Sequence, residues 1–346
     1  MEPKFLKVGK MKVNLVWFDS LGAKSMCTFV CTPDIKILID PGASIMQPSF
    51  PLSKRKKDIL RRRALDTIEK FARNCEIIII THYHYDHHFL PTKRRDFYRS
   101  KKIFIKDPNK WINRSQFFRA RKFIKRLCKL RKINPQKIFT SPQKVEFIDP
   151  VENLKYPQVE KNIVVQGKRW LEDLHKLWSE SLHIKENLEE LNVCFADNKK
   201  VNFGDTEIVF SPPLFHGAEY QRLGWVIMVT IIYKNHKILF TSDIQGPIIK
   251  DYAYKIIDIN PDLLIMDGPS TYLVGYLLSM KDLKRAKENL SLILRNTKTP
   301  LIIYDHHLTR DLDYKKKLEE EFEEAKNSNK KLLSAGEFLG IDLSGI

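Results

Sequence analysis

Residues 77–88 read Ile77-Ile78-Ile79-Ile80-Thr81-His82-Tyr83-His84-Tyr85-Asp86-His87-His88. The four isoleucines make a short β-branched run without alternation, the pattern of a strand buried on both faces. Four imidazoles and one carboxylate follow within seven residues. A solvated polar loop has no need of histidine at that density, whereas imidazole and carboxylate together suit zinc, with iron and manganese as neighbours. A loop leaving the strand end lets His82 and His84 face one ion while Asp86 and His87 face another.

Working outward, residues 13–18, 26–31 and 35–40 are expected to be strands of a hairpin or meander, broken by Leu21-Gly22 and Pro33-Asp34. Helical spacing over 59–72 precedes the isoleucine strand. Strand patterns resume at 207–210, 225–233, 237–240, 263–266 and 301–304, with helices expected at 281–295 and 314–326. Meanders followed by helices predict an α/β fold of sheets covered by helices. Between them, 92–200 reads as an inserted, largely helical block with helices near 114–132 and 170–191. The expected organisation is a core in two halves, 1–91 and 201–346, around that insert.

Of the 346 residues 43% are hydrophobic, enough for a sizeable core, and no apolar run approaches the length of a membrane span. The first twenty residues carry Lys4, Lys7, Lys10 and Lys12 and no secretory pattern, and the five cysteines show no CxxC pair, so a reducing cytoplasm is the expected location. The net charge is +18. It is concentrated: 92–145 hold 19 Lys/Arg against Asp96 and Asp107, and 54–63 hold seven against Asp58, while the rest is slightly acidic. In the first block the basic residues are interleaved with Phe97, Tyr98, Phe104, Trp111, Phe117, Phe118 and Phe123. On the helix expected at 114–132, Phe117, Ala120, Ile124 and Leu127 share one stripe and the cations the opposite face.

His82, His84, Asp86 and His87 match the HxHxDH signature, and the chain thereby resembles the metallo-β-lactamase superfamily. The likeness continues in Phe215-His216-Gly217, Thr241-Ser242-Asp243 and Tyr304-Asp305-His306, each at a strand end. Any one of these alone is more often structural; order and placement together give them weight. The resemblance implies an αββα sandwich and two divalent ions, zinc first. His82, His84 and His216 would hold one, Asp86, His87 and His306 the other, and Asp243 would bridge them. Asp40, in Asp40-Pro41-Gly42, sits where the family has a carboxylate supporting the histidine loop. Asp86 would also orient the nucleophilic water, with His307 or a metal assisting the leaving group. His307 is the alternative to His306 as ligand, His88 is supporting or structural, and Asp267 either orients a ligand histidine or caps a turn.

The superfamily does not choose a substrate. A basic block with aromatics fits phosphates and unpaired bases, so RNA or another single-stranded nucleic acid is the expected partner, with Arg121, Lys122, Lys125 and Arg126 as contacts. A lysine-rich solvated helix face explains part of the same pattern. Only 62 residues separate Asp243 from His306, too few for the domain that β-CASP nucleases carry there. The His-Ser-Thr motif of the tRNA 3′-processing enzymes has no counterpart, since no histidine lies between His236 and His306. The broadest resemblance, through Ile39 to Ala43, Ser242 to Pro247, Asp267 to Tyr272 and Asp305 to Leu308, is to a mainly archaeal branch of predicted metallo-β-lactamase-fold hydrolases. The expected activity is metal-dependent hydrolysis, of phosphodiesters or nucleic acid first. Hydrolysis of small esters, thioesters or lactones is the alternative, and a non-catalytic nucleic-acid binder with a structural metal the third.

Overall fold

The computed structural model describes residues 4–91 and 96–341; 92–95, which open the basic block, lie outside the described residues. Among these, eight strands form one sheet in the order Leu6–Val8, Met11–Phe18, Met26–Cys31, Lys36–Ile39, Ile77–Ile80, Lys102–Ile105, Val193–Phe195, Asn187–Leu188. Seven form a second, in the order Lys200–Phe203, Thr206–Phe210, Val229–Tyr233, His236–Phe240, Leu263–Asp267, Leu301–Asp305, Lys331–Leu333.

Alternation along the strands sets the layers. Ile77 and Ile79 join Val13, Ile37, Ile231 and Ile265 in a core between the sheets, while Ile78 and Ile80 pack with Ala64, Ile68 and Ala72 of the helix Lys54–Asn74. All four isoleucines are at most 1% exposed, worth roughly 6–12 kcal/mol of gross burial before the ordering entropy is subtracted. On the second sheet Leu264, Met266, Ile302 and Tyr304 meet Leu290 and Ile293 of the helix Met280–Asn296. The result is the αββα sandwich.

Three expectations change. The block 92–200 is only partly an insertion. Lys102–Ile105 runs parallel to Ile77–Ile80, and Val193–Phe195 parallel to Lys102–Ile105, so both belong to the first sheet. The excursion from the sheet covers 106–186. Its second helix is Lys161–Glu180 rather than 170–191: Ser181 turns extended, His183-Ile184 pairs with Phe139-Thr140, and Leu188 and Leu191 bury beyond the helix end. Finally, 225–233 is two strands. Trp225–Val226 pairs with Leu214–Phe215, and Val229–Tyr233 enters the second sheet.

Candidate metal centre

Parallel strands of both sheets deliver polar groups at their C-terminal ends, where the crevice of an α/β sheet opens. Ile77–Ile80 leads to the histidine loop, His236–Phe240 to Asp243, Leu263–Asp267 ends on Asp267, and Leu301–Asp305 leads to His306. The turns are tightly constrained: Asp40, Ser242, Gln245 and His306 hold left-handed backbone with φ of 48°, 56°, 53° and 50°. That conformation costs a non-glycine residue about 1–3 kcal/mol and persists only where surroundings over-determine it.

The side chains converge on Asp243. Its Oδ2 lies 3.2 Å from His87 Nε2, 3.4 Å from His82 Nε2, and 3.5 Å from both His216 Nε2 and His306 Nε2. His82, His84, His216 and Asp243 offer atoms within 4.8 Å of one another, as do Asp86, His87 and His306. The structure thus gathers every residue that the sequence nominated as a ligand, into two groups that meet at Asp243. Both Asp243 oxygens and the Nε2 atoms of His82 and His216 are buried with no hydrogen-bond partner. An unpaired buried carboxylate facing unpaired imidazole nitrogens is costly, and a divalent cation is the group that this donor set fits. The site opens to solvent on the side of half-buried His84, exposed Tyr85 and Asp86, whose side chain is 14% exposed.

A surrounding shell holds the imidazoles. Asp40 accepts from the Thr81 N–H at 2.8 Å and the Thr81 hydroxyl at 2.6 Å, and its Oδ2 lies 2.9 Å from His87 Nδ1. Such a carboxylate fixes the ring and its tautomer. Asp267 Oδ1 is 2.9 Å from His307 Nδ1 and its Oδ2 accepts from the Gln245 N–H at 3.0 Å, so Asp267 both meets a histidine and caps a turn. His307 aims Nε2 towards Asp243 Oδ2, at 4.0 Å. His88 Nδ1 lies 3.0 Å from the His84 carbonyl oxygen, the ring packs edge-on against Phe123, and burial lowers its pKa to about 3.

Sequence reading missed three members. Asp19 Oδ1 lies 3.0 Å from His306 Nδ1, as Asp40 does from His87, and its other oxygen accepts from Arg310 Nε. Arg310 Nη2 reaches Asp86 Oδ2 at 3.3 Å. Gln116, first turn of the helix Arg114–Arg131, accepts from the Tyr83 N–H at 3.0 Å and brings Nε2 to 3.4 Å from His84 Nε2. Asp19 carried a signal: like Asp40 and Asp267 it stands at the end of a strand, Met11–Phe18.

The nucleic-acid contacts fare differently. Arg121 is committed to the fold, donating to the carbonyls of Pro108 and Leu182 at 2.8 Å each and stacking 3.2 Å from the Phe117 centroid; burial lowers its pKa to about 10. Lys122, Lys125 and Arg126 are exposed, six to ten residues along the helix from Gln116, about 9–15 Å at 1.5 Å per residue. The interleaved aromatics are core: Phe97, Tyr98, Phe104, Phe117 and Phe123 are buried, Trp111 is half-buried, and of the seven only Phe118 is exposed. Apart from Phe118 they are not available to stack on bases.

Electrostatics gives a measurable consequence. Burial opposes charge on His87, yet Asp243 and Asp40 push it up to about 10; His306 is likewise raised well above the usual imidazole range against burial, by Asp19 and Asp243. His87 therefore carries a proton at neutral pH before a metal arrives, and a ligand imidazole must be neutral, so metal binding at pH 7.5 should release at least one proton and affinity should fall as pH falls. Calorimetric titration in buffers of different ionisation enthalpy reads this directly; zero net proton release would show that His87 is not displaced from its charged form.

The chain has relatives among known proteins. Residues 22–89 match the model of the metallo-beta-lactamase superfamily. A UPF0282 protein of Methanopyrus kandleri is 33% identical over 344 residues, covering 95% of this chain and 94% of that protein. Another, from Sulfurisphaera tokodaii, is 33% identical over 338 residues, covering 96% and 89%. Among solved structures, the metallo-beta-lactamase fold protein YhfI from Bacillus subtilis is 13% identical, covers 94% of this chain and 95% of its own, and superposes with a TM-score of 0.41. No described helix is long and apolar enough to cross a membrane. The chain belongs to the UPF0282 family, represented by these archaeal proteins, and has the metallo-β-lactamase fold.

Proposed function

We propose that this protein is a metal-dependent hydrolase of phosphodiester bonds. His82, His84 and His216 would hold one divalent ion, Asp86, His87 and His306 a second, and Asp243 both. Bound there, such ions, zinc foremost with iron or manganese as alternatives, lower the pKa of a water and neutralise charge on the scissile group. The His307–Asp267 pair favours an oxygen leaving group, since a leaving alkoxide, of a phosphodiester or a carboxylic ester, needs a proton whereas a thiolate does not; the exposed cations Lys122, Lys125 and Arg126 carry the choice of the phosphodiester. Burial, with Arg310 and His306 nearby, holds His307 well below the usual imidazole range, and its Nδ1 lies 2.9 Å from Asp267 Oδ1. Its free Nε2 suits it to take a proton from the attacking water and return it to the leaving oxygen. Asp86, on the open side, would align the water.

The excursion 106–186 would roof this site. Tyr220, four residues past His216, donates to Asp149 at 2.6 Å, and Glu219 accepts from the Gln158 N–H at 3.1 Å and from Arg285. Exposed Lys122, Lys125 and Arg126 support an extended polyanion as substrate, and five free cysteines accord with a reducing compartment.

A second reading, hydrolysis of apolar acyl esters or thioesters, is favoured by the apolar loop after Tyr272, where Tyr276, Leu277 and Met280 are 82%, 61% and 67% exposed. The deciding experiment incubates metal-replete protein with end-labelled single-stranded RNA and DNA, and separately with acyl thioesters. Discrete nucleic-acid products, lost with chelator, are expected. Thioester turnover without cleavage would move the activity to the second reading. Salt-sensitive binding with no turnover of either would leave a nucleic-acid-binding protein.

A further inference from the structure

We propose that the outward face of the helix Arg114–Arg131 is the track on which a single-stranded polynucleotide leaves the metal centre, with Phe118 stacking on an unpaired base and Arg119 meeting the phosphate nearest the metals. This rests on the phosphodiester reading of that centre and adds which form of nucleic acid it accepts and where the flanking nucleotides lie.

The helix holds eight Arg and Lys and no carboxylate. Arg121 and Arg131 are taken by main-chain carbonyls, of Pro108 and Leu182 and of Tyr98 and Lys101. The other six, Arg114, Arg119, Lys122, Lys125, Arg126 and Lys129, form no ion pair among the described residues. Helix cations elsewhere sit three or four residues from a carboxylate, as Arg73 does from Glu69 and Lys326 from Glu323. At 3.6 residues per turn the six share one arc with Phe118, and Lys122 repels Lys125 and Arg126 within it. A face that keeps this repulsion is complementary to a polyanion, which relieves it.

Phe118 stands at the middle of the arc, with Arg114 four residues before it and Lys122 four after. It is 56% exposed, and among the described residues its one ring contact is with Phe117, edge-on at 5.6 Å. A ring set among cations serves no core, whereas stacking on a base with phosphates alongside uses both groups. A duplex keeps its bases within the stack and offers that ring nothing, so ring and cations together select a single strand. One apolar side chain is too little to bury a helix face in a lipid surface.

The track begins at the metals. Tyr85 stands between His84 and Asp86, one from each donor group, and the Arg119 guanidinium lies 4.9 Å from the centre of its ring. Gln116, three residues earlier on the helix, brings Nε2 to 3.4 Å from His84 Nε2. Arg119 is half-buried on the tyrosine, and a guanidinium so placed loses little freedom on meeting a phosphate oxygen. From Arg119 to Lys129 the face runs about 15 Å at 1.5 Å per residue, room for a few nucleotides.

The test is fluorescence anisotropy of the metal-replete full chain with end-labelled oligouridylate, its linkages phosphorothioate to resist cleavage, beside an RNA duplex of equal length. Phe118→Ala should lose single-strand affinity roughly tenfold, the scale of one stacked base, while duplex affinity, melting temperature and metal content stay as in the wild type. Phe118→Trp should restore the single-strand affinity. Lys122→Gln combined with Arg126→Gln should weaken both ligands and lower the salt slope by about 1–2. Equal oligouridylate affinity in wild type and Phe118→Ala, or no binding by the wild type, overturns the proposal. So does an equal loss for the duplex, which would make the ring a support of the fold. Polyglutamate bound as tightly as oligouridylate, and as dependent on Phe118, would assign the face to an acidic protein segment instead. The two readings fail separately. Phe118-dependent binding without cleavage of ordinary RNA would remove the hydrolase and keep the track; cleavage with unchanged KM in Phe118→Ala would do the reverse.

Discussion

Asp243→Asn should bind fewer metal ions than the wild type and lose turnover by at least about 10³-fold, the scale on which preorganised charge at a reacting centre counts. Four imidazole nitrogens lie within 3.5 Å of Asp243 Oδ2, drawn from both sheets. Among the described residues no other carboxylate belongs to both a group with His216 and a group with His306. The amide keeps the shape and removes the negative charge, so a folded protein with depleted metal is the expected product. Elemental analysis beside an unfolding curve separates that outcome from collapse. Two retained ions with full turnover would show that Asp243 bridges nothing.

Gly42→Ala should reduce metal content without touching a ligand. A Cβ on Gly42 would stand 2.2 Å from the backbone nitrogen of His88 and 2.5 Å from the N and C atoms of His87. Those atoms are backbone and cannot rotate aside, so the histidine loop itself must move. Overpacking of this kind costs about 1–3 kcal/mol, and a collision between two main chains belongs at the upper end. His87 would leave both Asp40 and Asp243, and the second group of donors would come apart. We expect bound metal to fall by at least half and the melting temperature to drop by several degrees, on the usual scale of about 2–4 °C per kcal/mol. Wild-type metal content with an unchanged melting temperature would mean that the loop does not rely on this close approach.

The centre was legible where chemistry is local. Residues 82–87 announce themselves by density, whereas His216, Asp243 and His306 were reached through the family resemblance, which their order and strand-end position match. Asp40 was readable for the same reason. The rest depended on pairings over long separations. Asp19 and Arg310 are 291 residues apart, and although Asp19 stands at a strand end, the partner of each is not set until the two sheets dock. The aromatics of the basic block illustrate the opposite error. Phe117 and Phe123 sit between cations in the chain but on the inward stripe of their helix, so interleaving in sequence was segregation in space. Likewise the outline of the excursion was blurred because Lys102–Ile105 and Val193–Phe195, only four and three residues long, gain their strand character from neighbours in the sheet rather than from their own pattern.

His87 and His306 bring their Nε2 atoms to 3.2 Å although 219 residues separate them. On a ribosome adding about 5–20 residues per second, the later histidine emerges roughly 10–40 s after the earlier one. For most of that interval the loop bearing His82, His84, Asp86 and His87 exists without Asp243, and for all of it without His306, a half-set of donors on a growing chain. The clasp closes only when the strand Leu301–Asp305 docks, so the last part of the polypeptide to be made decides when the earliest-made donors become a complete receptor.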